Sequence, residues 1–366
     1  MASSFHRRGK SVLRSVPGIK LSPYNAETVL SCGIPTLDYV LGGGLPLGSI
    51  LLAEEDAFAT YCKQLLKYYV AEGIEQKHVI FLGSGETDPV KFLKELPKAV
   101  YSVADLAAKP VTASCGEGDG DLKIAFRYQH MPKQEPLPDQ SNVDRIFDFA
   151  ERIESPKLAN AQITTFEPCV ERKLPCACKS TVVALTGAYA SALREIGHVL
   201  EKSKSSDGSV QNAVRIALSG LGSPAWGNEQ CLPAFLYALK CLTRGEPASV
   251  FVTVPPILAQ HQPAVFLRCR RSADVVLKMQ SFDDVERGAN PLYKSYHGLL
   301  QVVKLSRTAS LSVRMPDCDF LFHQRSKKFV LEKLHMPPEL GGPKDDHHDT
   351  AGAKGMACAS NQKFGF

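Results

Sequence analysis

Ser49-Ile50-Leu51-Leu52-Ala53-Glu54-Glu55-Asp56-Ala57-Phe58-Ala59-Thr60-Tyr61-Cys62-Lys63 decides how the rest of the chain reads. The apolar run Ile50 to Ala53 predicts a buried strand. Phe58, Cys62, Leu65, Leu66 and Tyr69 recur at helical spacing and predict a helix directly after it. Nucleotide-binding α/β proteins place a phosphate loop, G-x-x-x-x-G-K-[ST], at such a strand-to-helix turn. Here the turn has no glycine to let backbone amides wrap a phosphate, and no Lys-Ser/Thr pair for phosphate and magnesium. Glu54, Glu55 and Asp56 would repel a triphosphate, and Thr60 and Lys63 complete this degenerate phosphate-loop position.

Upstream, Gly33 to Ser49 reads as a short helix, a Gly42-Gly43-Gly44 turn and the entry into the strand. That turn can approach a ligand backbone or serve as a tight connection; the connection is the simpler reading. Downstream, Gly73 is a stop signal for the helix, and His78 to Leu82 reads as a buried parallel strand. Asp88-Pro89 opens a further helix, with Asp as cap and Pro in the first turn. Residues 104–180 are rich in Gly and Pro, with one strand candidate, Leu122 to Tyr128; the rest is expected to be loops of low order. Val182, Leu185, Tyr189, Leu193, Ile196 and Leu200 mark a long amphipathic helix. A strand at Val214 to Leu218, a helix through Leu232 to Leu242 and a strand at Ser249 to Val254 follow. Asp274 to Met279, Leu299 to Val303 and Phe329 to Leu334 are strand candidates with little helix between them. Alternating β and α followed by a β-rich end predicts a doubly wound, mainly parallel sheet finished by antiparallel strands, as in RecA-type ATPases.

The expected organisation is a disordered basic arm at 1–25, a RecA-like domain at 26–336 with the loop-rich insertion at 104–180, and a disordered tail at 337–366. The chain carries 43 Lys plus Arg against 38 Asp plus Glu, a net +5. Arg7, Arg8, Lys10, Arg14 and Lys20, with no acid among them, account for that excess, so a polyanion site must be a local patch. The arm's composition also fits a transit peptide, but Gly9, Pro17 and Gly18 interrupt an amphipathic helix there. No apolar run reaches the ~18 residues of a bilayer span, and the 11 scattered cysteines suggest a reduced compartment.

Four further features carry candidate chemistry. The strand Val214 to Leu218 leads into Ser219, where an ATPase would hold magnesium with a carboxylate. Two catalytic positions are therefore empty, and no catalytic residue is assigned. The only tryptophan, Trp226 in Ser223-Pro224-Ala225-Trp226-Gly227, is either a partner anchor or a core residue. Arg268, Arg270 and Arg271 follow a loop from Pro255 to Pro263 that holds Gln260 and His261. These five residues are candidate RNA contacts; the plainer alternative is a solvated strand edge. Cys169, Cys176 and Cys178 have a C-x6-C-x-C spacing unlike paired zinc ligands, so no metal site is expected.

The stretch Ser31 to Val70 resembles the family of Elongator subunit 4. So do Ser4 to Gly9, Leu221 to Gly227, Ser281-Phe282 with Asn290 to Tyr293, Tyr296 to Leu299, and Leu331 to Pro338. The resemblance covers about residues 4–103 and 181–340. It implies a RecA-like fold without a working phosphate loop, and a hetero-hexameric ring with Elongator subunits 5 and 6. That ring binds tRNA and supports wobble-uridine modification by a separate catalytic subcomplex. No cofactor is assigned to this chain itself; ATP has a place at ring interfaces. The implied setting is the cytoplasm and nucleus, with a historical link to transcription elongation. The competing expectations are an active RecA-type ATPase with an unorthodox phosphate loop and a small-molecule enzyme on an α/β scaffold.

Overall fold

Ile50–Glu54 is a fully buried strand inside a nine-stranded sheet. The computed structural model describes residues 16–22, 27–99, 146–168, 185, 187–204, 212–289, 291–306, 319–325 and 328–333. The strand candidate at Leu122 to Tyr128, the three cysteines from Cys169 to Cys178, the first 15 residues and the expected tail lie outside them.

In chain order the strands are Ile19–Leu21 (β1), Thr28–Leu30 (β2), Leu45–Pro46 (β3), Ile50–Glu54 (β4), Val79–Ser84 (β5), Pro97–Ala99 (β6) and Phe147–Arg152 (β7). They continue as Ile163–Phe166 (β8), Val214–Ser219 (β9), Ala248–Val254 (β10), Val275–Ser281 (β11), Gly298–Lys304 (β12), Phe320–Arg325 (β13) and Lys328–Lys333 (β14). The helices are Pro35–Val40 (α1), Thr60–Glu75 (α2), Pro89–Lys94 (α3), Ser155–Asn160 (α4), Gly187–Lys202 (α5), Leu232–Thr243 (α6), Pro256–His261 (α7), Pro263–Ser272 (α8) and Asp284–Ala289 (α9).

The large sheet runs β14, β13, β12, β11, β4, β10, β9, β5, β8. From β11 to β8 all neighbours are parallel, and from β11 to β14 all are antiparallel. This is an α/β fold with a mixed sheet, mainly parallel and ending in antiparallel strands as the sequence predicts. β4, β9 and β10 are buried throughout, as strands covered on both faces must be.

Alternation along β4 divides the core. Leu51 and Ala53 join α1, α2 and α3 in one cluster, while Ile50 and Leu52 join α5, α6 and α8 in the other. The face beneath α2 holds a buried charge: Arg215 of β9 is fully enclosed. Its Nε donates to His78 Nδ1 at 2.9 Å, its Nη1 to the Ser31 carbonyl at 2.8 Å, and it stacks on the Tyr69 ring. Gly73 makes the room, since a Cβ there would lie 2.6 Å from Arg215 Cδ. Gly73 is thus not the helix stop that its residue type suggested; α2 continues to Glu75.

Three more expectations are corrected. The basic arm does not run unstructured to residue 25: Val16 is buried, Ile19–Leu21 pairs with Thr28–Leu30, and His78 Nε2 bonds the Pro17 carbonyl at 2.7 Å. The stretch expected to be loops contributes β7, α4 and the edge strand β8 between residues 146 and 168. The presumed loop from Pro255 to Pro263 is α7, and the arginines after it lie on α8, because prolines in a first helical turn forfeit no hydrogen bond. The Gly42-Gly43-Gly44 turn is structural at its last residue: Gly44 has φ +139°, and a Cβ there would meet the Leu30 carbonyl at 2.5 Å.

Candidate functional site

The carboxyl ends of the parallel strands are where α/β sheets place their sites. At the end of β4, a five-residue turn from Glu55 to Ala59 leads into α2. Ala59 sits there at φ +52°, a left-handed conformation that glycine ordinarily takes. Glu54, Glu55 and Asp56 are each about 95% buried.

Each charged residue in and beside the turn has a separate fate. Glu54 points to the α8 side and is gripped by Arg270, whose Nε and Nη2 each meet one carboxylate oxygen. Phe266 lies under that guanidinium, 4.8 Å from its ring centre. Lys63 turns to Glu86 beyond β5, at 2.7 Å. Glu86 in turn packs over Gly220, where a Cβ would come within 2.7 Å of it. Thr60 bonds the nearby Phe58 carbonyl, at 3.2 Å. The carboxyl oxygens of Asp56 are buried without a hydrogen-bond partner among the described residues, and those of Glu55 are equally buried with only the Thr253 hydroxyl beside them. Burial pushes the Glu55 carboxyl up to about 7; the Thr253 hydroxyl beside it opposes the rise and Glu86 adds to it.

Asp38, seven residues past Ser31, holds the approach to β4. Its carboxylate accepts from the Cys32 amide at 2.7 Å and the Ser31 hydroxyl at 2.5 Å. Burial still raises it to about 7 against those bonds. Ser219, at the end of β9, is buried, and its carbonyl accepts the Trp226 indole N–H at 3.2 Å.

Of the candidate RNA contacts, Arg268 and Arg271 are exposed on α8, and Gln260 and His261 are exposed at the end of α7. Arg270 is not available in the same way, because it belongs to the ion pair with Glu54. Trp226 is 1% exposed and stacks between Phe166 and Tyr189. It is a core residue and presents no face to a partner, which corrects its reading as an anchor. Sequence reasoning missed the Arg270–Glu54 pair and the burial of Glu55 and Asp56 without a cation partner. The former joins residues 216 positions apart, and only the three consecutive acids hinted at the latter. Among the described residues no cluster of His, Cys, Asp and Glu is arranged to hold a metal ion. A cavity of about 420 Å³, lined by Ile74, Lys77, Lys157, Gln162 and Asn212, opens at the opposite, amino ends of β5, β8 and β9.

Comparison with known proteins places this arrangement. The model of the family described as PAXNEB protein matches residues 12–364. Elongator complex protein 4 of Danio rerio is 34% identical over 92% of this chain and 89% of its own length. The human protein of that name is 32% identical over 92% of this chain and 86% of its own, and that of Saccharomyces cerevisiae 22% over 87% and 76%. With a family model running almost end to end and relatives a third identical over nine-tenths of the sequence, the chain belongs to the PAXNEB protein family, alongside these Elongator complex proteins 4.

Proposed function

We infer that this chain is the subunit 4 component of an Elongator complex. In this reading it is a RecA-like, non-catalytic subunit that assembles with subunits 5 and 6 into a hetero-hexameric ring. The ring binds tRNA in support of wobble-uridine modification, in the cytoplasm and nucleus, beside a separate catalytic subcomplex. Family membership supports the place in the complex.

One observation carries the non-catalytic part. The turn between β4 and α2 presents buried carboxylates where a phosphate would need amides and a free lysine, and its Lys63 is committed to Glu86. ATP in such a ring would be held by neighbouring subunits. For tRNA, the exposed cations Arg268 and Arg271, with Gln260 and His261, fit contacts to phosphate and sugar better than base reading.

The test is co-expression with subunits 5 and 6, followed by native mass measurement and tRNA binding. The expected result is a complex with two copies of each subunit that binds tRNA, while the isolated chain shows no magnesium-dependent ATP binding. Tight ATP binding by the isolated chain would favour an active ATPase with an unorthodox loop and overturn this reading.

A further inference from the structure

α6 and α8 pack on the same face of the sheet and run side by side in one direction. At their starts the Gln230 amide donates to the Gln262 side-chain oxygen at 3.1 Å, and near their ends Lys240 donates to the Ser272 carbonyl at 3.3 Å. Both joints span 32 positions, so the two helices stay in step. Tyr237 of α6 is therefore level with Cys269, in the turn of α8 that carries Arg268 and Arg271.

The surface these helices share is basic and partly apolar. Neither helix contains an acidic residue. Two of their cations are engaged, Lys240 by Asp274 and Arg270 by Glu54. Arg268 and Arg271 are exposed, and neither has an ion pair among the described residues. Tyr237 is 67% exposed and Leu267 48%. The residues one turn to either side of Tyr237, Ala234 and Cys241, are small and leave its ring uncovered. A single exposed tyrosine needs no explanation, but one level with two unpaired arginines on an acid-free surface does.

We propose that Tyr237 is a stacking platform for an unpaired base, and that α6 and α8 together take a single-stranded stretch of RNA whose phosphates meet Arg268 and Arg271. The two arginines lie one helical turn apart, within reach of neighbouring phosphates along one strand. The open ring offers any base a π-face without reading its edge, and Leu267 extends the apolar floor. This deepens the tRNA reading above and rests on it. Among the parts of a tRNA the surface takes loops and ends over paired stems, because bases inside a helix have no free face to stack. An acidic protein segment would pair with the same arginines, and the experiments separate the two.

In the assembly co-expressed with subunits 5 and 6, Tyr237→Ala is expected to weaken tRNA binding about tenfold with its salt dependence unchanged. Tyr237→Phe, which keeps the ring, is expected to bind as wild type does. Unchanged affinity in Tyr237→Ala overturns the proposal. A benzophenone side chain at position 237, photolysed in the same assembly, is expected to crosslink to an unpaired nucleotide of the tRNA. A crosslink to a protein subunit or to a paired stem overturns it. In a third arm the isolated full chain is titrated with a short oligouridine and with a fully paired RNA duplex of the same length. Tyr237→Ala is expected to lose affinity for the oligouridine alone; an equal loss for both, or for neither, overturns the proposal. An assembly that binds no tRNA, beside an isolated chain whose oligouridine binding depends on Tyr237, would sink the tRNA reading and leave this surface standing.

Discussion

Arg270 and Glu54 join the helix before β11 to the end of β4 through two parallel hydrogen bonds from guanidinium to carboxylate. Glu54 is 5% exposed, so the pair is nearly out of water on its acidic side. A buried pair of this kind contributes little over an apolar replacement but is costly to halve.

Arg270→Gln is therefore expected to lower stability by about 3 kcal/mol, because it leaves Glu54 charged and alone. Glu54→Gln together with Arg270→Gln should cost less than the two single changes added. Urea denaturation of the three variants checks this; additive losses would show that the two residues do not act as a pair.

The same pair separates stability from RNA binding. In the assembled complex, Arg268→Gln with Arg271→Gln should flatten the dependence of tRNA affinity on salt by about 1.5 in log–log slope, at roughly 0.7–0.9 per phosphate contact. Arg270→Gln should leave that slope alone. A change in slope confined to Arg270→Gln would reverse the assignment.

Glu55 makes stability depend on pH in an unusual direction for a carboxylate. Its ordinary value near 4.5 rises to about 7 in the folded chain, so folding takes up a proton. That contribution is full below about pH 4.5 and is lost as the pH climbs through about 7. Glu55→Gln, neutral throughout, should match wild type in acid and exceed it by about 3 kcal/mol above pH ~8. Denaturation midpoints across this range decide the matter: a gap that does not change with pH would mean that Glu55 ionises freely.

Gly73→Ala tests the room left for Arg215. Helix propensity alone favours alanine by about 1 kcal/mol. The added methyl would lie 2.6 Å from Arg215 Cδ, on a side chain held by His78 and the Ser31 carbonyl. Net destabilisation of about 1–2 kcal/mol is expected, since overpacking a fixed neighbour outweighs the gain. A more stable variant by thermal melting would show that Arg215 can move aside.

Much of the sheet is legible in the residues themselves. Ile50 to Ala53 is an unbroken apolar run, Val214 to Leu218 is one interrupted by Arg215, and Ser249 to Val254 is apolar except for Ser249 and Thr253; each is a buried strand. The helix after β4 is visible in the spacing of Cys62, Leu65, Leu66 and Tyr69, but Phe58, counted with them, lies in the preceding turn and is exposed. Less could be read where a residue type has two physical meanings. Pro256 and Pro263 mark loops in one context and first helical turns in another, and here they open α7 and α8. Ile163–Phe166 is a strand of four residues among prolines, too short for its pattern to show. The candidate site was legible only in its location. That Glu54 and Lys63 are each paired, while Glu55 and Asp56 are not, depends on Arg270 and Glu86, which no local pattern assigns to them.

The contact between Arg215 and His78 has a consequence for the direction in which hydrogens can point. Nδ1 receives the hydrogen of Arg215 Nε, so it carries none itself. The ring's single hydrogen then belongs to Nε2, where it reaches the Pro17 carbonyl. The imidazole works as a polar relay that accepts from inside the sheet and gives to the incoming strap. Among the other side chains, an uncharged amide can likewise receive at one end and give at the other. A lysine, a carboxylate or a doubly protonated ring would break the line at one of its two joints, and the anchorage of Val16 and Pro17 would go with it.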